Sequence, residues 1–188
     1  VVAVTQVVYE VDGWGSGELV VAEGRVLWHE LPWPRAGAAG TGAGDARDPS
    51  RTPTHPGLPN VVARPASQEA RNFAADVVRL LQAYFAGRRV SLEQVPVALE
   101  YATAFGARCA EALRAVPRGE AVTYGELAAL AGSPGAARAA GSFCARNHVA
   151  LFVPCHRVVA ADGLGAYGSY GTGYKRRLLA LEGYPGAL

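Results

Sequence analysis

Apolar residues fall into three periodic regimes along the chain, separated by stretches with no period at all. Residues 1–33 carry short β-branched runs. Val1 to Val11 reads as strand, and Leu19-Val20-Val21-Ala22, Glu23-Gly24 and Arg25-Val26-Leu27-Trp28-His29 read as two strands around a glycine turn. His29 has no second His or Cys near it in sequence and is expected at the surface. From Pro34 to Pro59 Gly, Ala, Pro, Thr and Asp dominate, which predicts a flexible loop. Between Ala66 and Gly87 the helical period appears, with Phe73, Val77, Leu80 and Tyr84 on one face. Core packing is the whole role expected of that helix. Residues 88–102 read as a linker. A second helix is expected from Thr103 to Val116, stopped by Pro117 and Gly119, with Phe105, Cys109, Leu113 and Val116 on one stripe and Cys109 in the core.

Beyond residue 120 the local signals become sharper. Thr123-Tyr124-Gly125-Glu126 has capping-box spacing, so Thr123 and Glu126 each satisfy a free backbone N–H at a helix start. Gly132 is placed to end that helix in the left-handed conformation. Ser133 then reads as an N-cap, with Pro134 at the first position of a helix reaching Ala145. Two short helices about a glycine turn form a helix-turn-helix pattern. The second is bare, Arg138 being its one long side chain. It suits either close approach to another surface, with Arg138 projecting into it, or tight packing with Arg138 in water.

Val153-Pro154-Cys155-His156-Arg157-Val158-Val159 places a thiol, an imidazole and a guanidinium inside an apolar run. In isolation it reads as a strand end with a core cysteine, and adjacent residues of a strand point to opposite faces. Asn147 is a natural helix terminator and lies eight residues before Cys155, where it can also tie the helix end to the thiol-bearing segment.

Composition narrows these options. The 188 residues suffice for one large domain or two small ones, and half are hydrophobic. No apolar run reaches the roughly 18 residues that span a bilayer, and no signal peptide is read at the start. There is no methionine, so Val1 is not expected to be the initiator position. Three cysteines without metal-ligand spacing predict reduced thiols in the cytoplasm, with neither a metal site nor a disulfide framework. Residues 1–113 carry 10 basic and 12 acidic side chains; residues 114–188 carry 8 and 4. Any polyanion partner therefore belongs with the second half.

The order Pro117-Arg118-Gly119-Glu120, Thr123-Tyr124-Gly125-Glu126-Leu127-Ala128, Ala136-Ala137-Arg138-Ala139, Asn147 and Pro154-Cys155-His156-Arg157-Val158 resembles the O6-alkylguanine-DNA alkyltransferases, also called methylated-DNA–protein-cysteine methyltransferases. The resemblance is colinear from Phe105 to Gly183. It implies an α/β (α+β) fold: an N-terminal α/β domain over 1–90 with 34–60 a flexible loop, a linker at 91–102, and a mostly helical domain over 103–188 with a winged-helix-like helix-turn-helix and the active-site cysteine. Direct repair of duplex DNA containing O6-alkylguanine is the activity implied, one turnover per molecule and without a cofactor, by a monomer in the cytoplasm or on the nucleoid.

The same resemblance assigns roles. Cys155 would be the alkyl-accepting thiolate, His156 the imidazole that deprotonates it through a water, and Glu182 the carboxylate holding that imidazole. Asn147 would link recognition helix to active site, and Tyr124 would turn out and bind the nucleotide. Arg138 would fill the vacated stack, with Ser133, Ala136 and Ala137 also at the DNA. Tyr167, Ser169, Val158 and Lys175 would surround the base, and Arg157 would be structural. Two departures stand out. The loop Gly165-Ala166-Tyr167-Gly168-Ser169-Tyr170-Gly171-Thr172-Gly173 is glycine-richer than the family pattern, and His148 replaces a proline commonly found after the asparagine. Lys175-Arg176-Arg177 would either touch phosphate or form a solvated helix turn. A non-reacting damage binder, an alkylation-sensing helix-turn-helix regulator and a Cys-His hydrolase are the alternatives. The last suffers from strand geometry, which separates neighbouring Cys and His side chains.

Overall fold

The computed structural model describes residues 2–34, 61–62, 67–98 and 103–186. Residues 35–60 of the expected loop and 99–102 of the expected linker lie outside these. The N-terminal β-branched runs form β1 (Val2–Ala3), β2 (Thr5–Val11), β3 (Gly15–Ala22) and β4 (Arg25–Trp33). The last three make an antiparallel sheet in that order, while β1 pairs in parallel with β5 (Val61–Val62). The hairpin around Glu23-Gly24 is present as expected, with Gly24 at φ +69°. Gly17 of β3 lies under the Tyr9 ring, where a Cβ would sit 2.5 Å from a ring carbon.

Helix α1 (Gln68–Phe85) starts at Ser67, whose hydroxyl accepts from Ala70 N at 3.1 Å. It buries Ala74, Val77, Leu81, Tyr84 and Phe85. The buried stripe is thus rotated from the one expected: Ala74 and Leu81 are buried, while Phe73 and Leu80 lie at its margin. Within the span read as a linker, Leu92–Gln94 forms a 3-10 turn, and Leu92 and Val95 are buried. Val26 N donates to Pro96 O and Ala98 N to Val26 O, so this segment covers part of the free edge of β4.

Helix α2 (Ala104–Arg114) is capped by Thr103 and buries Cys109 and Leu113, as read from the sequence. Then come β6 (Val122–Thr123), α3 (Tyr124–Leu130) and α4 (Ala137–Ala145). The capping box at Thr123 and Glu126 is complete, and Gly132 is left-handed at φ +73°. Ser133 is not an N-cap. Gly135 adopts φ +86°, which no helical turn allows, so residues 133–136 form a turn closed by Ala136 N to Ser133 O. Helix α4 starts three residues later than expected, without a side-chain cap.

His29 is the clearest correction. It is 3% exposed, not at the surface. Its Nδ1 bonds Ala150 O at 2.7 Å, its Nε2 bonds Tyr9 Oη at 2.6 Å, and its backbone N donates to His148 O. The neighbouring Trp28 ring stacks on His148. Strand β4 therefore holds the segment that leads from α4 into Cys155. The final elements are β7 (Val158–Val159), parallel to β6, and α5 (Gly171–Glu182), ended by Gly183 at φ +82°. One apolar cluster runs from Tyr9 and Leu19 through Leu81 to Leu113, Phe152 and Leu178.

Candidate active site

Cys155 is not on a strand. Pro154 fixes the backbone entry, and Cys155–Arg157 forms a 3-10 turn with Arg157 N bonded to Pro154 O at 2.9 Å. In such a turn successive side chains fan out around the axis, so Cys155 faces Asn147 while His156 and Arg157 both reach Glu182. All three are buried, Cys155 retaining 7% exposure.

The sulfur is held by the end of α4. Asn147 Nδ2 donates to Cys155 Sγ at 3.1 Å and to Val153 O at 2.8 Å, while its Oδ1 accepts from Val149 N. Tyr167 stands beside the sulfur with its hydroxyl buried. Burial pushes the Cys155 thiol pKa up; Asn147, Tyr167 and Lys175 oppose that rise without cancelling it. At rest the group is a thiol, and it needs a base to react.

His156 turns the other way. Its Nε2 bonds Glu182 Oε1 at 2.9 Å. Glu182 is also gripped by Arg157, through Nε to Oε2 at 2.9 Å and Nη2 to Oε1 at 2.8 Å, and Arg157 Nη1 donates to Val116 O. Burial alone would raise the Glu182 pKa, but His156 and Arg157 outweigh it and hold the carboxyl well below the usual range. Burial pulls the His156 pKa down, against the pull of Glu182. With Nε2 donating to the carboxylate, the basic nitrogen is Nδ1, which is buried without a partner among the described residues.

A second ring of groups shapes the approach to the sulfur. Lys175 is fully buried and donates to the carbonyls of Val158, Leu164 and Ala166, with its ammonium 5.9 Å from the Tyr124 ring centroid. Tyr124 is half-buried at the start of α3, packed between Gly141 of α4 and Gly165 of the following loop. Burial, then Cys144 and Cys155, raise its pKa. Burial and the nearby Cys155 also push the Cys144 thiol far up.

Other expected residues stand apart from this cluster. Arg138 is exposed on α4, with Ser133, Ala136 and Ala137 half-buried nearby in sequence. Ser169, expected beside the base, is exposed. The basic trio does not act as a unit: Lys175 is buried, and Arg177 lies 3.5 Å from the Trp14 ring centroid and donates to Gly13 O, which leaves only Arg176 at the surface without those ties. Two surface concavities, of about 530 Å³ beside α2 and α3 and about 400 Å³ beside α1, bring together neither a thiol nor an imidazole.

Sequence reasoning missed Tyr84. From the end of α1 its hydroxyl donates to Glu182 Oε1 at 2.7 Å and lies 3.4 Å from His156 Nε2. The available signal was a hydroxyl on an otherwise apolar stripe, since a buried tyrosine requires a partner.

The family model described as the DNA-binding domain of 6-O-methylguanine DNA methyltransferase matches residues 104–184. A methylated-DNA–protein-cysteine methyltransferase of Mycobacterium leprae is 44% identical over 111 residues, 57% of this chain and 63% of that protein. One of Methanosarcina acetivorans is 45% identical over 116 residues, 61% of this chain and 72% of that protein. The O6-methylguanine methyltransferase of Mycobacterium tuberculosis superposes with a TM-score of 0.68 at 32% identity, covering 96% of this chain and 93% of that one. The Mycobacterium tuberculosis OGT structure in complex with DNA gives 0.68 at 31%, covering 95% and 92%.

Proposed function

The chain belongs to the methylated-DNA–protein-cysteine methyltransferase family, and on that footing we propose that it repairs O6-alkylguanine in duplex DNA by moving the alkyl group onto Cys155. The observation that carries this reading is the placement of one thiol, Cys155, between the amide of Asn147 and a turn whose next residue, His156, is paired with Glu182.

The step follows from the chemistry of these groups. The Cys155 proton passes to His156 Nδ1 through a bridging water, and Glu182 stabilises the resulting imidazolium across Nε2. The thiolate attacks the alkyl carbon; an S–C bond forms as the O6–C bond breaks. The departing guanine oxyanion takes up a proton and returns to the normal base. Every atom transferred comes from the two reactants. A thioether has no ready leaving group, so one molecule removes one alkyl group.

A base stacked in a duplex cannot offer its O6 substituent to a nearly buried sulfur, and must be extruded past Tyr124 and the 163–169 loop. Arg138, exposed on the small-residue helix α4, is the side chain to occupy the gap. Tyr124, Tyr167, Val158 and Lys175 would frame the base. We read the protein as a monomer that acts where the DNA is. Among the described residues no helix is long and apolar enough to cross a membrane.

Incubation with a duplex carrying O6-methylguanine, followed by peptide mass mapping, tests the reading. A methyl gain confined to Cys155, with guanine restored and one equivalent consumed, is expected. Binding without an adduct, or repair by Cys155→Ser, would overturn it.

A further inference from the structure

Tyr84 is a fully buried hydroxyl contributed by α1, an element with no other part in the site. Its oxygen is 2.7 Å from the same carboxylate oxygen, Glu182 Oε1, that accepts from His156 Nε2 at 2.9 Å and Arg157 Nη2 at 2.8 Å. Among the described residues Oε1 thus receives three donors while Oε2 receives one, Arg157 Nε. Arg118 lies over the Tyr84 ring, 5.1 Å from its centroid, and its guanidinium donates to Arg88 O and Leu181 O, which fixes the ring between α1 and α5.

We propose that Tyr84 is a positioning residue of the alkyl transfer: its hydroxyl loads the Glu182 carboxylate so that His156 stays a neutral Nε2–H imidazole with Nδ1 ready to accept the Cys155 proton. The proposal rests on the alkyl-transfer reading and extends it to the N-terminal part of the chain. A carboxylate facing His156 with only Arg157 as its other donor would be a stronger base. It would stabilise imidazolium before the reaction, and His156 would then arrive already protonated and unable to take the thiol proton. Tyr84 tempers the carboxylate without adding a charge to a buried cluster. The remaining charged or titratable groups around the pair are Arg157, Lys175, Arg118 and Tyr167.

Tyr84→Phe removes the oxygen and keeps the ring. The His156 ring titration, followed by nitrogen NMR without DNA, is expected to move up by about half to one pH unit, the worth of one shared hydrogen bond to a charged acceptor. The acid limb of the alkyl-transfer rate should move with it. In the unaltered protein the Tyr84 hydroxyl hydrogen should exchange slowly and lie close to the Nε2 hydrogen of His156, a measurement that needs no variant. An unmoved titration, with or without a loss of thermal stability, reduces Tyr84 to packing and overturns the proposal, as does a rapidly exchanging hydroxyl. Because the titration is read without DNA, failure of the alkyl-transfer assignment would show separately, as an unaltered protein that gains no methyl.

Discussion

Asn147 donates a side-chain hydrogen to the sulfur of Cys155 at 3.1 Å, eight residues away, from just beyond the end of the helix that carries Arg138. The same amide also donates to Val153 O and accepts from Val149 N, so it closes the loop between helix and nucleophile on itself. A donor aimed at sulfur favours the thiolate. Asn147→Ala should therefore raise the Cys155 pKa and slow its reaction with iodoacetamide at neutral pH about ten-fold, the worth of one hydrogen bond to a charged group. Two backbone groups also lose a partner, so the urea midpoint should fall by the equivalent of about 2 kcal/mol. An unchanged rate–pH profile would show that the amide only shapes the loop.

His29 makes stability depend on acidity. Burial lowers its pKa from 6.5 to about 4, with the bond to Ala150 O opposing. The folded state therefore binds this proton later than the unfolded state as pH falls. The stabilisation is complete above the unfolded value and is lost progressively between pH 6.5 and about 4. This one group accounts for roughly 3 kcal/mol across that window. His156, also lowered by burial, adds a slope of the same sign. Urea melts at several pH values should show His29→Gln with a flatter dependence than the unaltered protein; identical slopes would mean that His29 charges freely in the fold.

Local chemistry was legible in the sequence, and long-range pairing was not. The capping box of Thr123 and Glu126 and the left-handed stop at Gly132 depend on residues within one turn, and each is found where its spacing puts it. Ser133 and Pro134 carried an equally local helix-start signal, but Gly135 took a positive φ and delayed the helix. His29 and Tyr84 failed for a different reason. Each is a polar group made safe by a partner more than 70 residues away, Ala150 for one and Glu182 for the other, and periodicity holds no information about such partners. Cys155 was expected at a strand end because apolar runs suggest strands, whereas the proline at 154 started a 3-10 turn. The resemblance brought Glu182 to His156 across 26 residues, which local reading could not.

Arg138 stands exposed on α4, whose other side chains are short apart from Phe143, and Phe143 is buried. If it fills the space left by an extruded nucleotide, its loss matters only when there is a stack to fill. Arg138→Ala should slow repair of O6-methylguanine in duplex by about ten-fold or more, since unstacking costs a few kcal/mol. Reaction with free O6-benzylguanine should be nearly unaffected. Equal losses on both substrates would place Arg138 in the protein's own architecture rather than in the DNA.

Gly165 and Gly168 allow the loop over the sulfur to be separated into strain and contact. Both have positive φ, +68° and +49°, so an alanine at either should cost about 1–2 kcal/mol of backbone strain. Only at Gly165 would the new Cβ meet the site: it would lie 3.2 Å from the Tyr124 hydroxyl and from Ala160 N, whereas nothing lies within 4 Å at Gly168. Both variants should therefore melt at lower urea than the unaltered protein, Gly165→Ala by the larger amount. Gly165→Ala should in addition slow single-turnover alkyl transfer, because Tyr124 must shift to make room beside Lys175 and the sulfur. Equal transfer rates in the two variants would mean that the position of Tyr124 does not limit the reaction.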